Sequence, residues 1–194
     1  MQYPESISSE ELTQLDTVDF TGPIVVVSDV DSEFAEAMEY LKNQTVIGFD
    51  TETKPCFSSG SPRHHVALLQ LSGEEKAYIF RVNTLGMPAP LASLLSDGSI
   101  LKIGAAVKED VNGLMYYRKF TPRGFVDLQS MVGDYGIKDK SVRKMAAIIL
   151  GKKVSKTQQL SNWEAPQLSG AQLKYAAIDA WVCREMYLRL KSGE

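Results

Sequence analysis

The chain has little of what secreted and thiol-based proteins rely on. Its 194 residues include two cysteines, Cys56 and Cys183, far apart and outside any CxxC pair. That argues against a disulfide-rich scaffold; one disulfide stays open, and reduced thiols are the plainer reading. Histidine is as scarce: His64 and His65 have no cysteine or third histidine at zinc spacing. No apolar run approaches the ~20 residues that a membrane-crossing helix needs. The polar, acidic opening MQYPESISSEELTQLD lacks the basic and apolar regions of a secretory signal. These absences point to an intracellular, cytoplasmic location without a membrane partner, the nucleus being open for a eukaryotic source. There is no internal repeat, and the absence of a GxxxxGK[ST] loop disfavours a P-loop NTPase.

What is present is ordinary for one compact globular domain: 44% hydrophobic and 23% charged residues. The net charge of −3 does not mark a nucleic-acid binder, but its distribution is uneven. Residues 102–156 hold 12 lysines and arginines against 5 aspartates and glutamates, and the remainder holds 9 against 19. A basic stretch of this kind can follow a phosphate backbone. Solvated helix faces account for it equally well.

Hydrophobic periodicity and turn residues outline the elements. A short helix is expected over residues 10–15, and a β-branched strand over 24–27. A helix capped by Asp31 or Ser32 carries Phe34, Met38 and Leu41, and a buried strand runs over 45–51. Pro55, Gly60 and Pro62 make residues 54–63 a mobile loop. Strands at 65–71 and 76–82 form a hairpin across Ser72-Gly73-Glu74-Glu75. A short helix at 91–95, a strand at 101–105, a helix at 107–117 and a short strand at 125–128 follow. The rest reads as helices at about 128–135, 142–150 and 169–190. Between the last two, residues 151–167 form a polar, irregular stretch or helix pair facing substrate. The antiparallel opening and later strand–helix alternation predict an α/β fold with a mixed sheet.

The sharpest local feature is the apolar strand that ends in Asp50-Thr51-Glu52. Side chains alternate along a strand, so Asp50 and Glu52 share a face. Two neighbouring anions repel, and a hard cation such as Mg²⁺ or Mn²⁺ with oxygen ligands removes the repulsion. An ordinary polar strand exit is the plainer reading. In the last helix Tyr175 and Asp179 lie four residues apart and so point the same way. Small Ala176, Ala177 and Ala180 allow that helix to approach another element closely. Asp110 opens the helix after the strand at 101–105, where capping explains an acid as well as catalysis does. Phosphodiester cleavage by two metal ions needs several carboxylates around cations ~3.5–4 Å apart.

These residues resemble a known family. IGFDTET, LKIGAAVKEDVNGL and LSNWEAPQLSGAQLKYAAIDA occur in the order of the three motifs of the DEDDy 3′–5′ exonuclease superfamily, and HVALLQLS resembles its second strand. The resemblance is strongest to Werner-type exonuclease domains, with ribonuclease D more distant. It covers residues 22–190 and implies a ribonuclease-H-like fold with a central mixed sheet flanked by helices. Residues 1–21 are then an N-terminal extension, and residues 22–194 a single exonuclease domain. It also implies two divalent cations, Mg²⁺ or Mn²⁺, held by Asp50, Glu52 and Asp179 with Asp110 completing the set, and a nucleophilic water oriented by Tyr175. The partner is a nucleic acid with a free 3′ end, DNA ahead of RNA, from which nucleoside 5′-monophosphates are released. Oligomeric state stays open. One departure is Val111-Asn112-Gly113, where Werner-type relatives often carry an aromatic shortly after the acid.

Other residues divide between function and packing. Phe57 is either a wedge near the terminal base or a plain loop aromatic. Arg143, Lys144, Lys152, Lys153 and Lys156 are candidate phosphate contacts. Trp163 fits packing better than base stacking. A catalytically weak binding module and a ribonuclease D-like RNA-processing enzyme are the competing functions. An aspartyl-phosphate phosphatase also starts from paired acids after a strand, but Asp50-Thr51-Glu52-Thr53-Lys54 lacks the glycine such sites place there.

Overall fold

The computed structural model describes residues 2–57, 60 and 63–193. The expected loop over 54–63 therefore lies in part outside the described residues. Six strands form one mixed sheet: β1 (Ile24–Val27), β2 (Val46–Thr53), β3 (Val66–Ser72), β4 (Ala77–Phe80), β5 (Leu101–Gly104) and β6 (Phe125–Asp127), in the spatial order β1-β4-β3-β2-β5-β6. β2, β3 and β4 run antiparallel, whereas β5 joins β2 and β6 joins β5 in parallel. β1 adds a parallel edge on β4.

Alternation along β2 sorts its residues between two cores. Ile47 and Phe49 enter a core with Phe34, Met38 and Leu41 of α2 (Ser32–Lys42) and with Leu91, Leu94 and Leu95 of α4 (Ala89–Leu95). Val107, Val111 and Leu114 of α5 (Val107–Leu114) close the same face. On the other face α7 (Val142–Leu150) and α8 (Gly170–Ser192) bury Met145, Ile149, Ala177, Val182 and Met186. Ser169 starts α8 with a reciprocal capping box to Gln172, which satisfies two orphan amides of the first turn.

The decisive contact is between β2 and α8. A Cβ added at Gly48 would lie 1.8 Å from the carbonyl oxygen of Ala180. The helix backbone therefore rests directly on the strand, and Ala176, Ala177 and Ala180, all fully buried, keep the surrounding surface flat enough for it. Arg184 fastens the next turn by donating from Nε to the Val46 carbonyl at 3.2 Å.

Most expected elements appear, with shifted ends. β2 extends to Thr53, so Glu52 as well as Asp50 lies within the strand. The expected helix at 128–135 is an α-helical turn, α6 (Leu128–Met131), followed by a 3₁₀ turn over Val132–Tyr135. α5 ends at Leu114, three residues before the expected 117. β4 ends at Phe80, and its expected last residue instead begins the helical turn α3 (Val82–Leu85).

The segment over 151–167 holds turns rather than helices, and it is pinned. The Arg81 guanidinium donates to the carbonyls of Pro166 and Ala165, each at 2.6 Å. Trp163 is fully buried beside Leu68, Ile79 and Ala176. Residues before Gly22 also pack inward: α1 (Ser9–Gln14) starts from a Ser8 capping box, Tyr3, Val18 and Phe20 join the α7–α8 core, and Thr17 forms a parallel bridge with Lys153.

Replacing Gly48 by alanine forces a methyl group into the helix backbone and is expected to cost roughly 3 kcal/mol or more. Urea unfolding of Gly48→Ala checks this. The same substitution at exposed Gly170, where an added Cβ meets nothing within 4 Å, is expected to leave stability within about 0.5 kcal/mol or improve it slightly.

Candidate active site

The Gly48–Ala180 contact places the next residues of both elements against each other. Gly48, Asp50 and Glu52 share the face of β2 under α8, and Asp179 precedes Ala180 on the helix. Carboxylate oxygens of Asp50, Glu52 and Asp179 all lie within 4.8 Å of one another. β5 pairs with β2 only as far as Gly48, while β3 accompanies β2 to Thr53. The acids thus project past the end of β5, at the carboxyl end of the parallel pair, where open α/β sheets leave a crevice.

Asp110 arrives from the opposite side. It is not among the three clustered acids; its Oδ1 accepts a hydrogen bond of 2.5 Å from the Thr51 hydroxyl. Thr51 lies between Asp50 and Glu52 and points to the other face, so the strand that carries the two acids also holds Asp110. The turn ahead of α5 is strained to make this possible. Ala106 has φ +59, an unusual value for a residue with a side chain. Asp127 stabilises it: its Oδ1 accepts from the Ala106 amide at 3.2 Å and from the Gln129 amide at 2.9 Å. Sequence reasoning missed both residues. Asp127 after a short strand was a visible capping signal, but nothing in Ala105-Ala106 announces a positive φ.

Crowding of acids in a dry crevice sets the electrostatics. Burial, then the charges of Asp179, Asp110 and Glu52, push the Asp50 carboxyl well above its ordinary range. Burial, Asp179 and Asp110 raise Glu52 to about 9. Burial raises Asp179 to about 7 against the opposing hydrogen bond from Tyr175. Burial also lifts Asp110 to about 6, with the Thr51 hydrogen bond pulling the other way. Tyr175 is raised by burial and by Asp179, Glu52 and Asp50, so it is a neutral phenol at any working pH. Its ring packs beside Trp163 with centroids 5.9 Å apart.

Three oxygen donors this close, with no ion pair to a cationic side chain among the described residues, suit a hard cation by their chemistry. The histidines do not join it. His64 Nδ1 lies 2.9 Å from Glu164 Oε1, and His65 stacks on exposed Tyr116 at 3.5 Å between centroids. Glu164 also pairs with Lys54 at 3.5 Å, which ties the exit of β2 to the pinned 151–167 segment. Gly113, where relatives were expected to differ, is a packing position: a Cβ there would meet Val66 Cγ2 at 2.6 Å.

The structure sorts the basic candidates. Arg143 and Lys156 line a cavity of about 180 Å³ together with Ser155, Gln159, Tyr175 and Asp179. Arg143 Nε is buried there without a hydrogen-bond partner among the described residues. Lys144 instead pairs with Asp139 at 2.9 Å, and Lys153 donates to the Thr13 carbonyl at 2.7 Å. Lys152 is exposed and does not line this cavity, and Phe57 is 78% exposed beyond β2. The basic stretch over 102–156 is therefore less available than its count implied. Lys102 is wholly buried, its ammonium held by the carbonyls of Asp97, Ile100 and Leu94. Burial lowers it to about 8.

A mixed sheet in this order with acids at the end of its central strand defines a ribonuclease-H-like nuclease architecture. The 3′–5′ exonuclease family matches residues 25–193, and the chain belongs to that family. It is 33% identical over 159 residues to exonuclease 3′-5′ domain-containing protein 2 of Drosophila melanogaster, covering 80% of this chain and 27% of that protein. It is 29% identical over 182 residues to the bifunctional 3′-5′ exonuclease/ATP-dependent helicase WRN of Mus musculus, covering 89% and 13%. The chain thus spans a small part of the curated relatives it matches. The solved EXO domain of Nibbler from Aedes aegypti shares the fold, with a TM-score of 0.76 at 23% identity and 92% and 91% of the two chains covered. Among the described residues no helix is long and apolar enough to cross a membrane.

The raised carboxyls make stability depend on pH in a definite direction. Their folded-state values lie above the ~4 of unfolded carboxylates, so the contribution is full below pH ~4 and is lost as pH climbs through about 6 to 9. The melting temperature of cation-free protein is expected to fall across that window. Added Mg²⁺ should raise it, more at pH 8 than at pH 6, because ligation needs ionised acids. Asp50→Asn should melt higher than wild type at pH 8 without metal and lose most of the Mg²⁺ response.

Proposed function

We propose that this chain hydrolyses nucleic acid stepwise from a free 3′ end, releasing nucleoside 5′-monophosphates, with DNA preferred to RNA. The observation that carries the reading is the clustering of Asp50, Glu52 and Asp179 within 4.8 Å beside the Tyr175 hydroxyl. Those three acids would hold divalent cations, two of Mg²⁺ or Mn²⁺, with Asp110 completing the set from the rim. Bound cations would supply charge neutralisation at the scissile phosphate and acidify the attacking water.

The chain's own groups do the positioning. The Tyr175 hydroxyl, fixed by its bond to Asp179 and by the Trp163 ring, orients the attacking water. It is too weakly acidic to act as the base. Thr51 holds Asp110 in place. Arg143 and Lys156, which line one cavity with Tyr175 and Asp179, would meet the phosphate backbone. Residues 22–194 are proposed as the exonuclease domain, with residues 1–21 extending its wall next to Lys153.

Labelled oligonucleotides of DNA and RNA, single-stranded and 3′-recessed, test the reading with Mg²⁺ or Mn²⁺. A ladder of products shortened one nucleotide at a time from the 3′ end is expected, stronger on DNA. Asp179→Ala should reduce the rate by at least about 10³-fold. Tyr175→Phe should lower kcat by about 10²-fold with KM nearly unchanged. Internal cuts, or binding without cleavage, would sink the proposal; a ladder on RNA alone would reverse the substrate order.

Arg143 separates phosphate binding from chemistry. Arg143→Ala is expected to raise KM roughly tenfold with little change in kcat, as loss of a charge-assisted hydrogen bond implies. Lys144→Ala, whose ammonium is already paired with Asp139, should change KM less than about twofold. Steady-state kinetics on one oligonucleotide compares the two.

A further inference from the structure

Gln70 lies where an apolar side chain would serve the fold better. The β2–β3 register sets it directly opposite Asp50, and on its other side it faces Ile79 of β4. Alternation along β3 gives Leu68, Gln70 and Ser72 the face covered by α8, and Leu68 packs there with Ala176 and Trp163. Gln70 is 1% exposed, and neither its amide nitrogen nor its amide oxygen has a hydrogen-bond partner among the described residues. A buried amide without partners is a standing cost to stability, and a methionine of similar shape would remove it.

The same register explains what the amide gains. Directly opposite residues of an antiparallel pair have Cβ atoms about 4.5–5.5 Å apart. The Gln70 side chain therefore shares a face and a register position with Asp50, although no hydrogen bond joins the two in this structure. Carboxylates that ligate metals are in turn held by hydrogen bonds from behind.

We propose that Gln70 is a positioning residue for the cation centre: its amide N–H, unpartnered in this structure, turns to donate to the Asp50 carboxylate once that carboxylate ligates a divalent cation and so fixes the direction of ligation. The proposal rests on reading Asp50, Glu52 and Asp179 as cation ligands. It separates two quantities that a packing role would keep together: the stability of the cation-free fold, which Gln70 lowers, and the affinity for the cation, which it raises.

Gln70→Met tests it in the full chain, with Mn²⁺ as probe. Free Mn²⁺ is titrated by electron paramagnetic resonance, and cation-free protein is melted in EDTA. Expected is a Mn²⁺ affinity at least about tenfold weaker, with a cation-free melting temperature equal to or above wild type. Ile79→Val, which loosens the same pocket without touching the amide, should melt lower and bind Mn²⁺ within about twofold of wild type. Unchanged affinity in Gln70→Met overturns the proposal. So does a lowered melting temperature in that variant, or an equal loss of affinity in Ile79→Val. If wild type takes up no Mn²⁺, the cation reading fails and the role of Gln70 fails with it.

Discussion

The structure depends on one contact, the seating of α8 on β2 where the Ala180 carbonyl meets Gly48. Side chains usually hold a helix and a sheet about 10 Å apart. Here one partner has no side chain and the other only methyl groups, so the helix comes closer. That approach brings Asp179 to the two acids of β2. Were the helix lifted by the thickness of one side chain, the oxygens would no longer share a sphere of 4.8 Å. Much else serves this contact: Arg184 clamps the turn beyond it, Trp163 and Tyr175 pack the turn before it, and the Ser169 cap starts the helix in the right phase.

The contact is costly electrostatically. Burial first, and for Asp50 and Glu52 the neighbouring acid charges after it, lift the three carboxyls, Glu52 to about 9. Elsewhere the chain neutralises buried charge locally, as with Lys102 and its ring of carbonyls. At the acids it offers no cation. Arg143 and Lys156 line the neighbouring cavity rather than forming ion pairs with the cluster. A cluster of acids whose ionisation the fold opposes, with Arg143 and Lys156 lining the adjoining cavity, has the pattern of a surface that gains from a bound cation before it meets phosphate.

How legible this was in the sequence differs by element. The placement of Asp50 with Glu52 follows from a period of two, and that of Tyr175 with Asp179 from a four-residue step; both need only local geometry. The run Ala176, Ala177, Ala180 announced a close approach but not its partner, because Gly48 carries no mark that distinguishes a packing glycine from a turn glycine. Register across β2 and β3 was unreadable, and with it the facing of Gln70 to Asp50. The basic stretch misled for a related reason. Composition counts charges without saying which carbonyl or carboxylate has already taken them, and Lys102, Lys144 and Lys153 were all taken. The polar run over 151–167 misled in the opposite sense: it read as an irregular stretch or helix pair facing substrate, yet Arg81 and the buried Trp163 fix its C-terminal part.

That pinned segment bears on how the site can work. Tyr175 reaches the acids only because its ring is held, and the ring is held by Trp163. Trp163 is in turn fixed by a segment tied to β4 through Arg81 and to the exit of β2 through Glu164, which meets both Lys54 and His64. The phenol therefore belongs to the frame that carries Asp50 and Glu52. On the function proposed, a water held by that hydroxyl would keep a fixed place relative to the acids. Position supplied in advance by the frame lowers the entropic part of a reaction barrier.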